Sequence, residues 1–386
     1  MKRAIPRIMI LMDPARGYDR ALMRGMAHYV HTAGPVQFFQ PPPFWERRDR
    51  YSLFDFARES KVDGMILLER EDMDALLELK IPMVVSPYNR RKIAKVINLV
   101  TNHRAVGRVA AEHLLQSGFR QFAFCGYQDM FWSNDRLAGF KERLREEGFV
   151  PDVYAGKASS PSDEKIRLLI WLNKLPLPTG IMACADERGR ELVELCVSSG
   201  IRVPDGIGVI GVDDDELLCD LAPVPLSSVA NTAEQCGFEA VKRIIQLLER
   251  RKGASLKPDI VVEPSGCAGR LSTDFINTED LALAKAVRFI REHAREPAGV
   301  ADVAQACGLS RRVLEKRFRK NLGISIYAEI RRVRVDLFAR LLLESNRTVA
   351  EISEQLRFEG IEHVSRYFKA QTGMTPREYR LRYGRN

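Results

Sequence analysis

The 386-residue sequence lacks any long hydrophobic run. Its apolar stretches, such as IMILM and IGVIGV, are far shorter than the roughly 20 residues a membrane helix needs, so neither a span nor a membrane partner is expected. The opening MKRAIPRIMILMD starts basic but has no small-residue cleavage site; it reads as a first strand and implies a cytoplasmic chain. Seven cysteines, at 125, 184, 196, 219, 236, 267 and 307, are scattered and odd in number, without a C-x-x-C pair or a Cys/His cluster. Reduced, buried thiols are therefore expected, with no disulfide framework and no metal site. The six histidines are isolated, no glycine-rich phosphate loop is present, and no nucleophile elbow occurs. A sugar kinase or hydrolase fused to a helical module thus has no supporting motif, and neither catalytic residues nor a cofactor are expected.

What is present is a pattern that occurs twice. Residues 300–325 read VADVAQACGLSRRVLEKRFRKNLGIS and residues 349–375 read VAEISEQLRFEGIEHVSRYFKAQTGMT. Val300, Ala301, Asp302 and Val303 match Val349, Ala350, Glu351 and Ile352; Phe318, Gly323 and Ser325 match Phe368, Gly373 and Thr375, one extra residue falling in the second turn. In the first copy Ala304 and Cys307 permit a close helix crossing, Gly308 can end a helix in the left-handed region, and Ser310 can cap the next. This is the grammar of a helix-turn-helix. Leu314 and Phe318 face inward at i, i+4, leaving Arg311, Arg312, Glu315, Lys316 and Arg319 outward. In the second copy Val364 and Phe368 face inward and Glu362, Ser365, Arg366 and Lys369 outward. A polar, basic face at a helix N-terminus is how such units enter the DNA major groove. Residues 327–344 read as a long amphipathic helix that could hold two reading heads about one DNA turn, roughly 34 Å, apart.

Charge supports a polyanionic partner. From Phe275 onward the chain carries 22 Lys and Arg against 14 Asp and Glu, nearly all of the net charge of +9. A basic unit on a near-neutral one favours double-stranded DNA and a strong salt dependence.

These last hundred residues resemble the DNA-binding domain of AraC-type transcription regulators. The resemblance rests on the CGLS turn, on LEKRF with Gly323 and Ser325 after it, on LLLES, and on the closing F-K-x-x-x-G-x-T-P-x-E-Y-R. Where that family has Gly in the second turn, this chain has Arg357.

From Arg7 to about Arg270, short apolar runs (IMILM, GMILL, MVVS, QFAFCG, GIMACA, IGVIGV) alternate with amphipathic stretches. Continuous apolar strands between helices indicate parallel sheets covered on both faces, and this length suggests two of them. Ligands in such sheets sit at the carboxyl ends of strands. There the sequence offers Asp13, Tyr18 and Asp19, then Trp132 and Arg136, then Asp186, then Asp213. Carboxylates and arginine chelate adjacent hydroxyls while rings cover the C–H face of a sugar, so a small polyhydroxylated ligand is expected. For Asp135, Asp214 and Asp215 a helix cap or a solvated loop position is preferred.

This segment resembles the ligand-binding core of LacI/GalR-type repressors, on NHRAVGRVAAEHL, GFRQFAFCG, NDRLAGF, ACADE, GVIGVDDDEL, LSSV and RLST. The resemblance makes Arg136 the ligand-contacting arginine and Asp186 and Asp213 polar contacts. At Thr101 the family has Asp, so no contact is carried over. It further implies two lobes joined by three crossovers, near residues 98–101, 227–229 and 262–267. The fold expected is an α/β two-lobed periplasmic-binding-protein-like domain followed by an all-α domain with two helix-turn-helix units. Its divisions are a sugar-sensing domain over residues 1–270, a linker over 271–280 and the reader over 281–386. LacI-type proteins carry their reader ahead of the core, yet here the first strand starts within ten residues of Met1, so the reader is expected at the other end. The loop PPPFWERRDR reads as surface, with Trp45 available to a partner. Regulators of sugar operons that join these two parts resemble the chain throughout, including YDR, LSSVA, RLSTDF and LEKRF. That resemblance implies operator DNA, a sugar effector that is D-xylose, a homodimer and contact with RNA polymerase. The competing expectations are an AraC-type regulator that senses another sugar, a non-sugar metabolite or a protein partner.

Overall fold

The computed structural model describes residues 5–41, 52–156, 160–249, 258–275, 280–345, 347–358 and 360–383. Most of the proline-rich loop, Trp45 included, and positions 276–279 of the expected linker lie outside the described residues. The chain forms two compact units, Met1–Phe275 and Ile276–Asn386.

In the first unit, β1 (Arg7–Leu11), α1 (Gly17–Thr32), β2 (Gln37–Phe39), α2 (Leu53–Glu59), β3 (Gly64–Leu68), α3 (Met73–Leu77), β4 (Met83–Ser86) and β5 (Ile97–Thr101) build one lobe. The chain then crosses to a second. That lobe holds α4 (His103–Gln116), β6 (Gln121–Cys125), α5 (Phe131–Glu146), β7 (Asp152–Val153), α6 (Pro161–Leu172), β8 (Thr179–Ala183), α7 (Asp186–Ser198), β9 (Ile207–Val212), α8 (Glu216–Leu221) and β10 (Ser227–Asn231). It returns through α9 (Ala233–Glu249) and β11 (Ile260–Val262), and crosses once more into β12 (Pro264–Ala268). The sheets run β11-β5-β4-β3-β1-β2 and β12-β10-β9-β8-β6-β7, parallel throughout except where β12 meets β10.

The strands are buried on both faces, as IGVIGV of β9 is at every position, which is why their sequences do not alternate. In each lobe a pair of helices crosses almost backbone to backbone beside the cleft. A Cβ on Gly25 of α1 would sit 1.8 Å from the Glu234 carbonyl oxygen, and one on Gly237 of α9 2.0 Å from that of Leu22. In the second lobe Gly107 and Gly139 bring α4 and α5 together in the same way. Side chains of any size there would push the helices apart.

The crossovers correct the expected positions by a few residues. Ser227–Val229 is still strand, paired in parallel with Ile210–Val212, so the chain leaves the second lobe at residues 231–233. The first crossing follows β5 at Asn102, and the third is confined to Glu263. The three strands are tied together: Asn102 N–H donates to the Val262 carbonyl at 2.9 Å, its side-chain amide to Glu263 at 2.9 Å, and Thr232 N–H to the Glu263 carbonyl at 2.9 Å. Leu271–Thr273, expected in the linker, forms a 3-10 turn with Ser272 and Thr273 buried, because the Ser272 hydroxyl donates to the Val209 carbonyl of β9.

The second unit is all helical: α10 (Leu281–Glu292), α11 (Val300–Ala306), α12 (Arg311–Leu322), α13 (Ile326–Glu344), α14 (Val349–Gln355), α15 (Ile361–Thr372) and α16 (Pro376–Tyr383). Pairs α11–α12 and α14–α15 are the two copies of the repeated pattern. Each has its own core, and α13 serves both, giving Ile326 and Ile330 to the first and Val335, Phe338 and Leu342 to the second. Among the described residues no helix is long and apolar enough to cross a membrane.

Candidate functional site

Between the two lobes of the first unit lies a cavity of about 280 Å³, at the carboxyl ends of the strands. Its second-lobe wall is built around Arg136 of α5. Buried at 5% exposure, this side chain donates to the Cys184 carbonyl, lies 5.3 Å from the Trp132 ring centre and approaches Asp213 at 3.6 Å. Asp213 and Asp214, directly after β9, both hold left-handed backbone, φ 103° and 51°. Such strain in consecutive non-glycine residues persists only where surrounding bonds enforce it. Here Asp213 N–H donates to Val229 at 3.0 Å, and the Asn231 amide donates to the Asp213 carboxylate at 3.1 Å. Asp186, at the first turn of α7, accepts the Ser228 hydroxyl at 2.6 Å and the Asp215 N–H at 2.8 Å. Burial, and then the Asp213 carboxylate, raise its pKa well above the ordinary aspartate range. Both oxygens being engaged, Asp186 shapes the turn that presents Asp213.

The first-lobe wall carries Tyr18, whose hydroxyl lies 3.3 Å from the Thr101 hydroxyl, and Tyr88, whose ring is tilted 6.0 Å from Trp132 and covered by Arg16 at 4.7 Å. The loop bearing Tyr88 is pinned by the buried Glu69 carboxylate, which accepts the N–H groups of Tyr88, Asn89 and Arg90 at 2.7, 2.7 and 3.0 Å. Burial alone would raise the Glu69 pKa, but the Arg90 guanidinium and these N–H groups bring it below the usual range. Two ion pairs join the lobes at the rim, Arg20 to Asp215 and Arg91 to Asp135. The arrangement offers buried polar atoms without a protein partner: His103 Nδ1, Trp132 Nε1 and Arg136 Nε. Burial, then Arg136 and Arg91, lower the His103 pKa to about 2, so the ring is neutral and has one nitrogen to donate and one to accept.

Of the seven residues singled out in the sequence, Tyr18, Trp132, Arg136, Asp186 and Asp213 line the cavity together. Asp13 and Asp19 are not part of its wall. Asp13 is exposed and serves its own loop, accepting Ala15 N–H at 2.9 Å; its N–H donates to Asp19 at 3.0 Å. Asp19 is fully buried behind the wall, near Arg16 at 3.9 Å, and burial raises its pKa. The sequence reading missed Arg16, Ser86, Tyr88, His103 and Glu187, and it set aside Thr101 and Asp215, which also face the cavity. Ser86 and Thr101 end strands β4 and β5, so the same strand-end rule points to them once it is applied to every strand.

In the second unit, α12 exposes Arg311, Arg312, Lys316 and Arg319 while Leu314 and Phe318 are buried. Glu315 is half-buried: its carboxylate accepts from Arg319 and from the Ile326 N–H, both at 3.2 Å, which fastens α12 to the start of α13. Helix α15 exposes Glu362, Arg366 and Lys369, with Ser365 half-buried and Val364 and Phe368 in the core. Val313 and Ile361, absent from the sequence reading, are apolar yet 42% and 47% exposed in the first turns of these helices. The turn before α12 uses Gly308 at φ 66°, and the turn before α15 forces Arg357 to φ 51°. Arg334 of α13 steadies that second turn by donating to the Leu356 carbonyl and stacking 4.3 Å from Phe358.

Comparison with known proteins agrees with both units. Residues 111–272 match the model of the periplasmic binding protein-like domain, and residues 303–382 match a helix-turn-helix domain. The chain is 31% identical to the xylose operon regulatory protein of Escherichia coli strain K12, over 97% of this chain and 96% of that one. It is 28% identical to the protein of the same name from Haemophilus influenzae, over 97% and 98%. A solved structure of a xylose-binding transcription activator covers all of both chains at 29% identity with a TM-score of 0.64. A transcriptional regulator–cellobiose complex, at 21% identity and a TM-score of 0.55 over 70% of this chain and 85% of that one, shares the fold of the first unit. A cleft-bearing two-lobed unit, a duplicated helix-turn-helix unit and end-to-end similarity place this chain in the family of xylose operon regulatory proteins, as a DNA-binding transcription regulator.

Proposed function

We propose that D-xylose is the effector and that it binds in the cavity between the lobes. The observation that carries this reading is the buried Arg136–Asp213 pair beside the Trp132 ring, a donor fork and an acceptor suited to neighbouring hydroxyls next to a surface for the C–H face. The unpaired His103 Nδ1 and Trp132 Nε1 take further hydroxyls, since buried polar atoms are costly until a partner is found. The volume, near the lower end of the roughly 300–1,000 Å³ typical of small-molecule sites, suits one monosaccharide. Relatives at up to 31% identity are named for the xylose operon, which supports the choice of sugar.

Sugar binding stabilises the closed arrangement of the lobes, whose rim is latched by Arg20–Asp215 and Arg91–Asp135. Converting a 1:99 equilibrium to 99:1 takes about 5.5 kcal/mol of differential affinity. The reader contacts operator DNA with Arg311, Arg312, Lys316 and Arg319 of α12 and with Glu362, Ser365, Arg366 and Lys369 of α15, Glu315 setting the base of the first helix. Val313 and Ile361 meet thymine methyl groups. The regulator acts in the cytoplasm as a homodimer, with RNA polymerase as a further partner. Calorimetry with D-xylose, arabinose, ribose, glucose and galactose tests the effector: tightest binding of D-xylose is expected, and heat from none of them, or a tighter fit for another sugar, overturns the assignment.

A further inference from the structure

Arg270 stands a few residues before the first unit ends at Phe275, paired with the residue next to Asp213. Its guanidinium donates to the Asp214 carboxylate at 2.8 Å and to the Leu226 carbonyl at 3.0 Å, both partners of the ion pair being largely buried; Asp220 lies farther off at 4.0 Å. Asp214 is the neighbour of Asp213 and shares its left-handed turn. The residues after Arg270 are fastened to elements that start or end at the cavity. The Ser272 hydroxyl donates to Val209 of β9 at 2.6 Å and accepts Ser227 N–H of β10 at 2.8 Å. The Thr273 hydroxyl bonds Ser227 at 2.6 Å and His113 at 2.7 Å, on the same α4 whose first residue, His103, lines the cavity. Phe275 stacks on Phe119 with ring centres 4.4 Å apart.

We infer that Arg270 is a positioning residue through which the Asp213–Asp215 turn reports sugar occupancy to the tail 271–275, the segment from which the chain continues into the DNA-binding unit. This rests on the sugar reading of the cavity. Asp213 itself does not depend on Arg270. Asn231, Val229 and Arg136 hold it, and Asp186 holds Asp215. Untying Arg270 therefore separates response from binding. A purely structural salt bridge would move both together or neither.

The test uses the full chain, D-xylose as the probe, calorimetry for binding and hydrogen exchange of the peptide spanning 270–275 for response. In the parent, D-xylose slows exchange of that peptide by about fivefold or more, the lower end of ordinary site-to-site coupling. Because a single deletion strands a buried charge, the key variant is the charge-neutral pair Asp214→Asn with Arg270→Met. It is expected to bind D-xylose within about threefold of the parent, well under one decade of affinity, yet lose the sugar-dependent slowing. Arg270→Lys, which keeps the charge but not the second bond, restores part of it. Full slowing in the neutral pair overturns the inference, as does loss of sugar binding together with response, which would make Arg270 part of the binding site. A parent that gives no heat with D-xylose overturns the sugar assignment and the inference with it.

Discussion

Replacing Arg136 with methionine keeps the stem that packs beside Trp132 and removes the fork. Two interactions disappear, the bond to the Cys184 carbonyl and the pairing with Asp213, and with them the unpartnered Nε that the proposed sugar contact would use. Removing one member of a buried, hydrogen-bonded charge pair at a binding site costs about 2–5 kcal/mol. The lower part of that range applies, because Asp213 retains the Asn231 amide at 3.1 Å and its approach to Arg136, at 3.6 Å, is longer than the 2.7–2.9 Å or so of a charge-assisted hydrogen bond. A loss of about 2–3 kcal/mol corresponds to a roughly 30- to 150-fold weaker Kd for D-xylose. Arg136→Lys retains the charge without the planar fork and falls between the two, about tenfold weaker than the parent. Calorimetry reads the Kd, and a melting curve taken without sugar checks that the first unit still folds. Binding of D-xylose by the methionine variant within about threefold of the parent would refute the assignment of Arg136 to the site.

Glu69→Gln removes a carboxylate held by three backbone N–H groups and Arg90, and should destabilise the first unit by about 2–3 kcal/mol near neutral pH. Its folded pKa lies below the ordinary value, so the stabilisation is complete above the ordinary glutamate range and fades as pH falls through the folded pKa. The gap between parent and variant in melting curves should therefore close below about pH 4, and a gap independent of pH contradicts the charge-based account. Arg357→Gly relieves a left-handed side-chain residue at a strain cost of about 1–2 kcal/mol, partly offset by glycine's larger chain entropy, and should raise the melting point of the second unit by a few degrees. An unchanged or lower melting point would show that Arg357 is not strained. Arg312→Ala should weaken operator binding by about 1–3 kcal/mol and relax preference at one base pair, while leaving the free protein as stable as before or slightly more so. Equal weakening on every DNA sequence in a binding competition would make Arg312 a phosphate contact.

The alternation of continuous apolar strands with amphipathic stretches was enough to reach two parallel sheets, because strands buried on both faces leave a direct mark in composition. The crossovers were less legible. Nothing local in LSSV distinguishes the end of a strand from a hinge, and only its pairing with β9, a non-local fact, keeps Ser227–Val229 in the second lobe. The second-lobe wall was readable for a similar reason. Asp186 and Asp213 follow β8 and β9 within three residues, and Arg136 lies in the second turn of α5, the helix that follows β6. On the first-lobe side, Tyr88 follows β4 by only two residues, so the strand-end rule reaches it as it does Ser86, whereas no periodicity announces the bonds that pin its loop to Glu69, some twenty residues upstream. Asp13 lies outside the cavity wall because a strand-end aspartate can equally serve its own turn, and the Ala15 N–H donated to its carboxylate is that local use.

The two helix-turn-helix copies keep the same inward residues and differ outward, which separates what the fold requires from what the partner requires. Leu314 and Phe318 correspond to Val364 and Phe368 in the cores, whereas the opening residues Arg311 and Arg312 correspond to Ile361 and Glu362. A helix N-terminus carries partial positive charge, so Glu362 is favourable there and two arginines are unfavourable by about 0.3–1 kcal/mol each. A sequence that breaks a local rule at exposed positions, with no compensating contact to the fold, marks a site whose compensation comes from a ligand. A phosphate-lined groove reverses the sign, since it supplies the anion that both the helix end and the arginines lack. On the proposed reading, the charge at the start of α12 is compensated on DNA, whereas Glu362 already suits the start of α15 without it. This difference is why truncating Arg312 should cost affinity for DNA yet nothing in the stability of the free protein.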